Sequence, residues 1–238
     1  MAGLTEQGSG ALPLLLLPGM MCDARLFAPQ IAALSAGRTV QVPALTGAET
    51  MEALAEQVLS QAPPRFALAG LSMGGILAME MLRQAPERIE RVAFLDTNPR
   101  AELPEVQAGR APQVARVREE GLGSVLRREV FPHYLHPESD PAILDLCEEM
   151  ALALGPDIFE RQSLALRDRA DAQEVLAAVR QPTLILTGED DRLCPMDRHT
   201  RMAALMPHAR LVVVPRAGHL PTLEQPAAVN AALNEWLT

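Results

Sequence analysis

Apolar and polar positions along this chain change period several times, and the changes mark its elements. Leu14 to Leu17 is a short continuous apolar run closed by Pro18-Gly19, the pattern of a strand buried on both faces of a parallel sheet. Thr39 to Val42, the apolar residues from Phe66 onward, Arg91 to Leu95, Thr183 to Leu186 and Arg210 to Val214 also read as strands, six in all. Between them the period becomes helical. Ala24 to Leu34 can form a helix, dented at Pro29. Thr50 to Ser60 is amphipathic, with Met51, Leu54, Val58 and Leu59 on one side and Glu49, Glu52, Glu56 and Gln57 mostly on the other. A helix follows Ser72 and ends near Pro86, Met196 to Leu205 forms another, and Leu223 to Trp236 is a final amphipathic one.

From Thr97 to about Val179 the character changes. Charge rises, strand-like runs disappear, and helices are predicted near Pro104 to Glu120, Gly123 to Val130, Pro141 to Leu154, Asp157 to Leu166 and Gln173 to Val179. Strands alternating with helices predict an α/β architecture, a mostly parallel sheet of about six strands flanked by helices. The core would comprise residues 11–97 and 180–238, and residues 98–179 a helical cap over the carboxyl edge of the sheet, where open α/β sheets bind ligands. Met1 to Gly10 reads as a loose tail.

Composition narrows the chemistry. The chain has 238 residues, enough for one full core, and its 48% hydrophobic and 21% charged content is ordinary for a globular protein. A formal net charge of -9 disfavours nucleic acid and anionic membranes as partners. All 21 basic residues are Arg, which excludes Schiff-base chemistry, a Ser-Lys dyad and a P-loop lysine. Cys22, Cys147 and Cys194 are odd in number and far apart, so a disulfide framework is not expected and a reducing, cytoplasmic location is. No C-x-x-C pair suggests zinc. The uncharged run from Gln7 to Cys22 lacks a positive n-region, is broken by Pro13 and Pro18, and is too short to span a bilayer.

The candidate chemistry centres on Gly70-Leu71-Ser72-Met73-Gly74, between a strand and a helix. A serine on so sharp a turn is lifted clear of the sheet, and side chains two residues to either side would collide with neighbouring backbone, which calls for glycine at both. The first amides of the following helix favour an oxyanion beside the hydroxyl. Downstream, Asp191 follows a strand in G-E-D-D-R-L-C-P, and His219 follows another in R-A-G-H-L-P-T-L-E-Q-P. Pro18-Gly19-Met20-Met21 follows the first strand.

With these motifs the chain, from Leu12 to Leu237, resembles the α/β-hydrolase fold family, of the small serine-dependent type with a helical lid, and is similar to carboxylesterases and enol-lactonases. The resemblance implies that Ser72 is the nucleophile, His219 the base and Asp191 the acid that orients it, with Met20 N–H and Met73 N–H as oxyanion donors. It implies a small-molecule substrate, no metal and no organic cofactor, and a monomer or homodimer. Many relatives carry His-Gly where this chain has Pro18-Gly19, and the strands that usually open the fold are expected to be missing or reduced. A serine nucleophile disfavours dehalogenase and epoxide hydrolase chemistry.

Asp190 and Asp96 compete with Asp191 for the acid's place. Tyr134 and Arg161 are the insertion's candidates for substrate contact. His133, His136, His199 and His208 read as solvated or packed, with His133 or His136 able to face the cleft, and Cys194 as a small buried filler. The expected reaction is cleavage of a small carboxylic ester, lactone or thioester. Two alternatives stand beside it: C–C cleavage or elimination on a carboxylate-bearing substrate held by Arg161, Arg167 or Arg169, and a non-catalytic ligand-binding module.

Overall fold

A computed structural model describes residues 11–238; the expected loose tail, Met1 to Gly10, lies outside the described residues. The central sheet contains β1 (Leu14–Leu17), β2 (Val40–Gln41), β3 (Phe66–Leu71), β4 (Ile89–Leu95), β5 (Thr183–Gly188) and β6 (Arg210–Val214), in the spatial order β2-β1-β3-β4-β5-β6. Every pairing among the described residues is parallel. The chain steps outward from β1 to β2 and then returns to β3. That reversal opens a crevice at the carboxyl ends of β1 and β3, the usual ligand position in such sheets.

The four leucines of β1 show why its sequence is continuously apolar. Leu14 and Leu16 face one hydrophobic core, Leu15 and Leu17 the other. Both faces are covered, so alternation with polar residues is lost. Burying each leucine contributes about 1.5–3 kcal/mol. Helices α1 (Ala28–Leu34) and α11 (Pro226–Trp236) pack on the first face, and α2 (Met51–Gln61), α3 (Met73–Gln84), α8 (Gln173–Ala178) and α9 (Met196–Leu205) supply the second core. Thr50 caps α2 by accepting from Ala53 N–H at 3.2 Å. Met79 and Met81 lie in the core.

Between β4 and β5 come α4 (Pro104–Glu120), α5 (Leu122–Glu129), α6 (Ala142–Leu154), α7 (Pro156–Arg167) and α8, the five helices expected there. Local differences from the sequence reading come from proline and from edge position. Pro29 does not dent a helix: a 3₁₀ turn over Ala24–Phe27 precedes it, and Pro29 is the second residue of α1, in the first turn, where its missing N–H is harmless. The final helix is divided at Pro226 into α10 (Pro221–Glu224) and α11. β2 keeps two residues only, Val40 and Gln41, paired with Leu14 and Leu15 of β1 at the sheet edge. Among the described residues no helix is long and apolar enough to cross a membrane.

Candidate active site

The turn between β3 and α3 holds Ser72 at φ 55°, ψ -116°, a backbone conformation that L side chains rarely adopt. Close approach explains the flanking glycines. A Cβ on Gly70 would collide with the Gly74 carbonyl, and one on Gly74 with the Leu17 carbonyl of β1. The strained turn is held from both sides: Ser72 N–H donates to Leu95 O at 2.9 Å, and Thr97 Oγ1 donates to Ser72 O at 2.7 Å. The loop after β1 passes alongside, so that a Cβ at Gly19 would lie 3.6 Å from Ser72 Cβ.

Met20 N–H and Met73 N–H donate to no group among the described residues, whereas Met21 N–H is taken by Gln162 Oε1 at 2.8 Å. Gln162 also donates to Leu45 O at 2.8 Å and is 1% exposed. It therefore fixes the Met20–Met21 turn from α7. A polar side chain in the inward stripe Phe159, Gln162, Leu166 was the available sequence signal, and the reading missed it.

Asp191 and His219 come together at the ends of β5 and β6. His219 Nδ1 lies 2.9 Å and 3.0 Å from the two Asp191 carboxylate oxygens. Asp191 Oδ1 also accepts from Leu193 N–H and Cys194 N–H, each at 2.9 Å. Burial alone would push the Asp191 carboxyl up, but the imidazole and the two amides prevail and hold it at about 2. Asp190 instead is half-buried, with Oδ2 3.3 Å from His136 Nε2.

Asp96 is fully buried, with Oδ1 accepting from Gly188 N–H at 2.8 Å and Oδ2 unpartnered. Burial, then the neighbouring Asp191 charge, raise its carboxyl well above the ordinary range and so favour its protonated form. The unfolded chain ionises Asp96 once pH exceeds the ordinary carboxylate range, while the folded chain retains the proton. Raising pH therefore favours unfolding at this position. Asp96→Asn, which also tolerates the φ of 44°, is expected to gain stability over the parent as pH rises above the ordinary carboxylate range, by up to about 1.4 kcal/mol per unit. Urea unfolding at pH 4, 5, 6 and 7 checks this; a pH-independent difference would contradict it.

The imidazole is held by its backbone too. His219 N–H donates to Tyr134 O at 2.6 Å, and the Tyr134 ring lies 5.7 Å from the imidazole, tilted 38°. Glu224 ties this arrangement together. Its carboxylate accepts from Gly218 N–H, Leu220 N–H, His136 N–H and Ser139 Oγ at 2.7–3.0 Å. One half-buried side chain thus joins the histidine loop to the segment before α6. The sequence reading quoted Glu224 within its histidine motif but gave it no role. Glu224→Gln, which keeps one acceptor oxygen but sets an NH₂ against the donors now taken by the other, is expected to lower kcat roughly 10–100-fold with little change in KM. Steady-state kinetics on a chromogenic ester measures this, and an unchanged kcat would remove Glu224 from the positioning of His219.

A cavity of about 570 Å³ opens beside Ser72 and His219. No hydrogen bond joins Ser72 Oγ to His219 among the described residues; such bonds commonly tighten only when substrate is bound. Leu126, Phe131, Ala151 and Phe159 give the cavity an apolar lining, and Tyr134 lies among its lining residues. Arg161 does not line it. Its guanidinium donates to Thr46 O on the exposed side of α7, because Phe159 and Gln162 occupy the inward phase of that helix. Arg167 is likewise outward, paired with Asp168, whereas Arg169 lines the cavity. His133 is exposed, and neither it nor His136 lines the cavity. His199 is fully buried; burial lowers its imidazole to about 4, and Nε2 accepts from Thr97 N–H at 3.2 Å. Among the described residues, Asp191, Cys194 and His219 are the side chains clustered closely enough to share a metal. Two of them are already bonded to each other.

The arrangement supplies a hydroxyl on a strained turn, an imidazole anchored by an ionised carboxylate, unpaired amides and a cavity beside them. Comparison with known proteins agrees with this chemistry. Residues 14–232 match the model of the alpha/beta hydrolase family. The chain is 27% identical to a pimeloyl-[acyl-carrier protein] methyl ester esterase of Aromatoleum aromaticum, over 90% of this chain and 93% of that protein. Among solved structures it is similar to a malate-bound thermophilic esterase from Thermogutta terrifontis, with a TM-score of 0.86, 31% identity, and coverage of 95% of this chain and 89% of that one. It is also similar to the enol-lactonase from Burkholderia xenovorans LB400, with a TM-score of 0.85, 25% identity, and coverage of 98% and 93%.

Proposed function

The chain belongs to the alpha/beta hydrolase family, and from that premise we propose that it is a serine hydrolase cleaving a small carboxylic ester, lactone or thioester through an acyl-enzyme on Ser72. In this reading Ser72 Oγ attacks the substrate carbonyl as His219 Nε2 takes its proton. The imidazolium returns that proton to the leaving group. Asp191 keeps the proton on Nδ1 and stabilises the imidazolium as it forms. Met20 N–H and Met73 N–H receive the developing oxyanion, each amide contributing about 2.7–4 kcal/mol to the transition state. Water then repeats the sequence on the acyl-enzyme.

The observation that carries the reading is the Asp191–His219 pair, at 2.9 Å, beside a cavity that Ser72 shares. The names of the relatives, a methyl ester esterase and an enol-lactonase, support an ester or lactone substrate. Residues 98–179 serve in this proposal as a cap that excludes water and selects the acyl group. The three buried, unpaired cysteines support a reducing, cytoplasmic setting. Fluorophosphonate treatment is expected to add the reagent's mass to the tryptic peptide carrying Ser72. Absence of an adduct, or an adduct elsewhere, would refute the assignment.

A further inference from the structure

The cavity wall carries charge of the wrong sign for the rest of the molecule. The chain is strongly acidic overall, yet four arginines and two glutamates line the cavity. The deepest of these form a cluster of two guanidiniums around one carboxylate. Glu102 is 3% exposed in its side chain, Arg169 8% and Arg110 15%. Arg110 Nε and Nη2 donate to the two Glu102 oxygens at 2.8 and 2.7 Å, and Arg169 Nη1 donates to Glu102 Oε1 at 2.6 Å. Burial would raise the Glu102 carboxyl, but the two arginines outweigh it and keep it ionised.

Both oxygens of Glu102 are therefore committed, and the cluster retains one positive charge. Arg169 is further held by the carbonyls of Arg100 and Leu166, each at 3.1 Å. That leaves Arg169 Nη2 and Arg110 Nη1 without an oxygen acceptor among the described residues; Arg110 Nη1 meets only the thioether of Met20, at 3.8 Å. A thioether is a weak acceptor, and a surplus charge so nearly desolvated is unfavourable unless an anion completes it. A purely structural network would close on itself; this one leaves N–H groups facing the cavity. Met20 is also the residue whose amide faces the reacting carbonyl in the proposed mechanism. The surplus thus lies within one side chain's length of the chemistry.

We infer that Arg110, seated on Glu102 and backed by Arg169, is an anion subsite that binds a carboxylate on the non-reacting end of the substrate. The preferred substrates are then half-esters of short dicarboxylic acids. One surplus charge balances a monoanion, and the planar edge of a guanidinium matches a carboxylate. This inference rests on the reading of Ser72 as nucleophile but is tested separately from it.

The test compares kcat/KM on the monomethyl esters of butanedioic, pentanedioic and hexanedioic acids with methyl esters of unbranched monoacids of the same chain length. For the unaltered protein at low salt, at least one half-ester is expected to exceed its neutral counterpart 10-fold or more. The ratio should fall as salt rises. In Arg110→Gln it should collapse toward one, mainly through KM. Free pentanedioate should slow fluorophosphonate labelling of Ser72 in the unaltered protein, a readout that needs no variant. Equal rates on both ester series, an undiminished ratio in Arg110→Gln, or labelling indifferent to pentanedioate would overturn the subsite while leaving the hydrolase reading intact. Failure on every ester together with no adduct would instead strike the hydrolase reading.

Discussion

Ser72→Ala is expected to lower kcat/KM on an activated ester by roughly 10⁴–10⁶-fold. The size follows from what is lost: without Oγ no acyl-enzyme forms, and His219 is left with no proton to take. The amides and the cavity remain, so residual catalysis reflects binding and oxyanion stabilisation alone. The variant should fold normally. The bonds that fix the turn belong to the Ser72 backbone, namely N–H to Leu95 and C=O to Thr97, and alanine preserves them. Chemical unfolding should thus show a change within about 1 kcal/mol, separating loss of chemistry from loss of structure. Turnover within tenfold of the parent would rule Ser72 out as nucleophile.

Asp191→Asn should be the second largest effect, with kcat reduced about 10⁴-fold, the magnitude known for the corresponding change in a serine protease triad. The cause is the tautomer. An ionised Asp191 accepts from Nδ1–H and leaves Nε2 free to take a proton from Ser72. The asparagine also receives Leu193 N–H and Cys194 N–H, which hold its oxygen and turn its NH₂ toward Nδ1. The imidazole must then carry its proton on Nε2, where it cannot act as base. Asp190→Asn provides the contrast, since Asp190 turns away from His219 and meets His136 instead. It should change kcat by less than about twofold. If Asp190→Asn were the more damaging of the two, the acid would have been misassigned.

The acid shows where sequence reading reached its limit. Asp190 and Asp191 are neighbours in one loop, and motif spacing favoured the second. Only the folded loop shows which carboxylate turns toward the imidazole, because adjacent side chains on an irregular segment point in unrelated directions. The same holds for the arginines. Arg161 looked available for substrate because it lies in the insertion, but half a helical turn decides whether a side chain faces the cavity or Thr46. Arg110 lay in a helix whose sequence shows no strong apolar face, so nothing in the pattern pointed it inward. Its partner Glu102 is close in sequence, yet Arg169 is 67 positions from Glu102.

By itself the sequence determined the parallel α/β order, the placing of helices between β4 and β5, and the serine turn. Each of these is written in short-range pattern: continuous apolar runs for strands covered on both faces, helical periodicity between them, and glycines wherever backbone passes within contact distance of backbone. Tertiary structure alone decided which carboxylate meets His219, that Glu224 joins the histidine loop to the insertion, and that Arg110 faces the cavity with charge to spare. Those outcomes depend on the relative rotation of elements distant in the chain. That rotation is set by packing summed over the whole molecule, and no local stretch of residues encodes it.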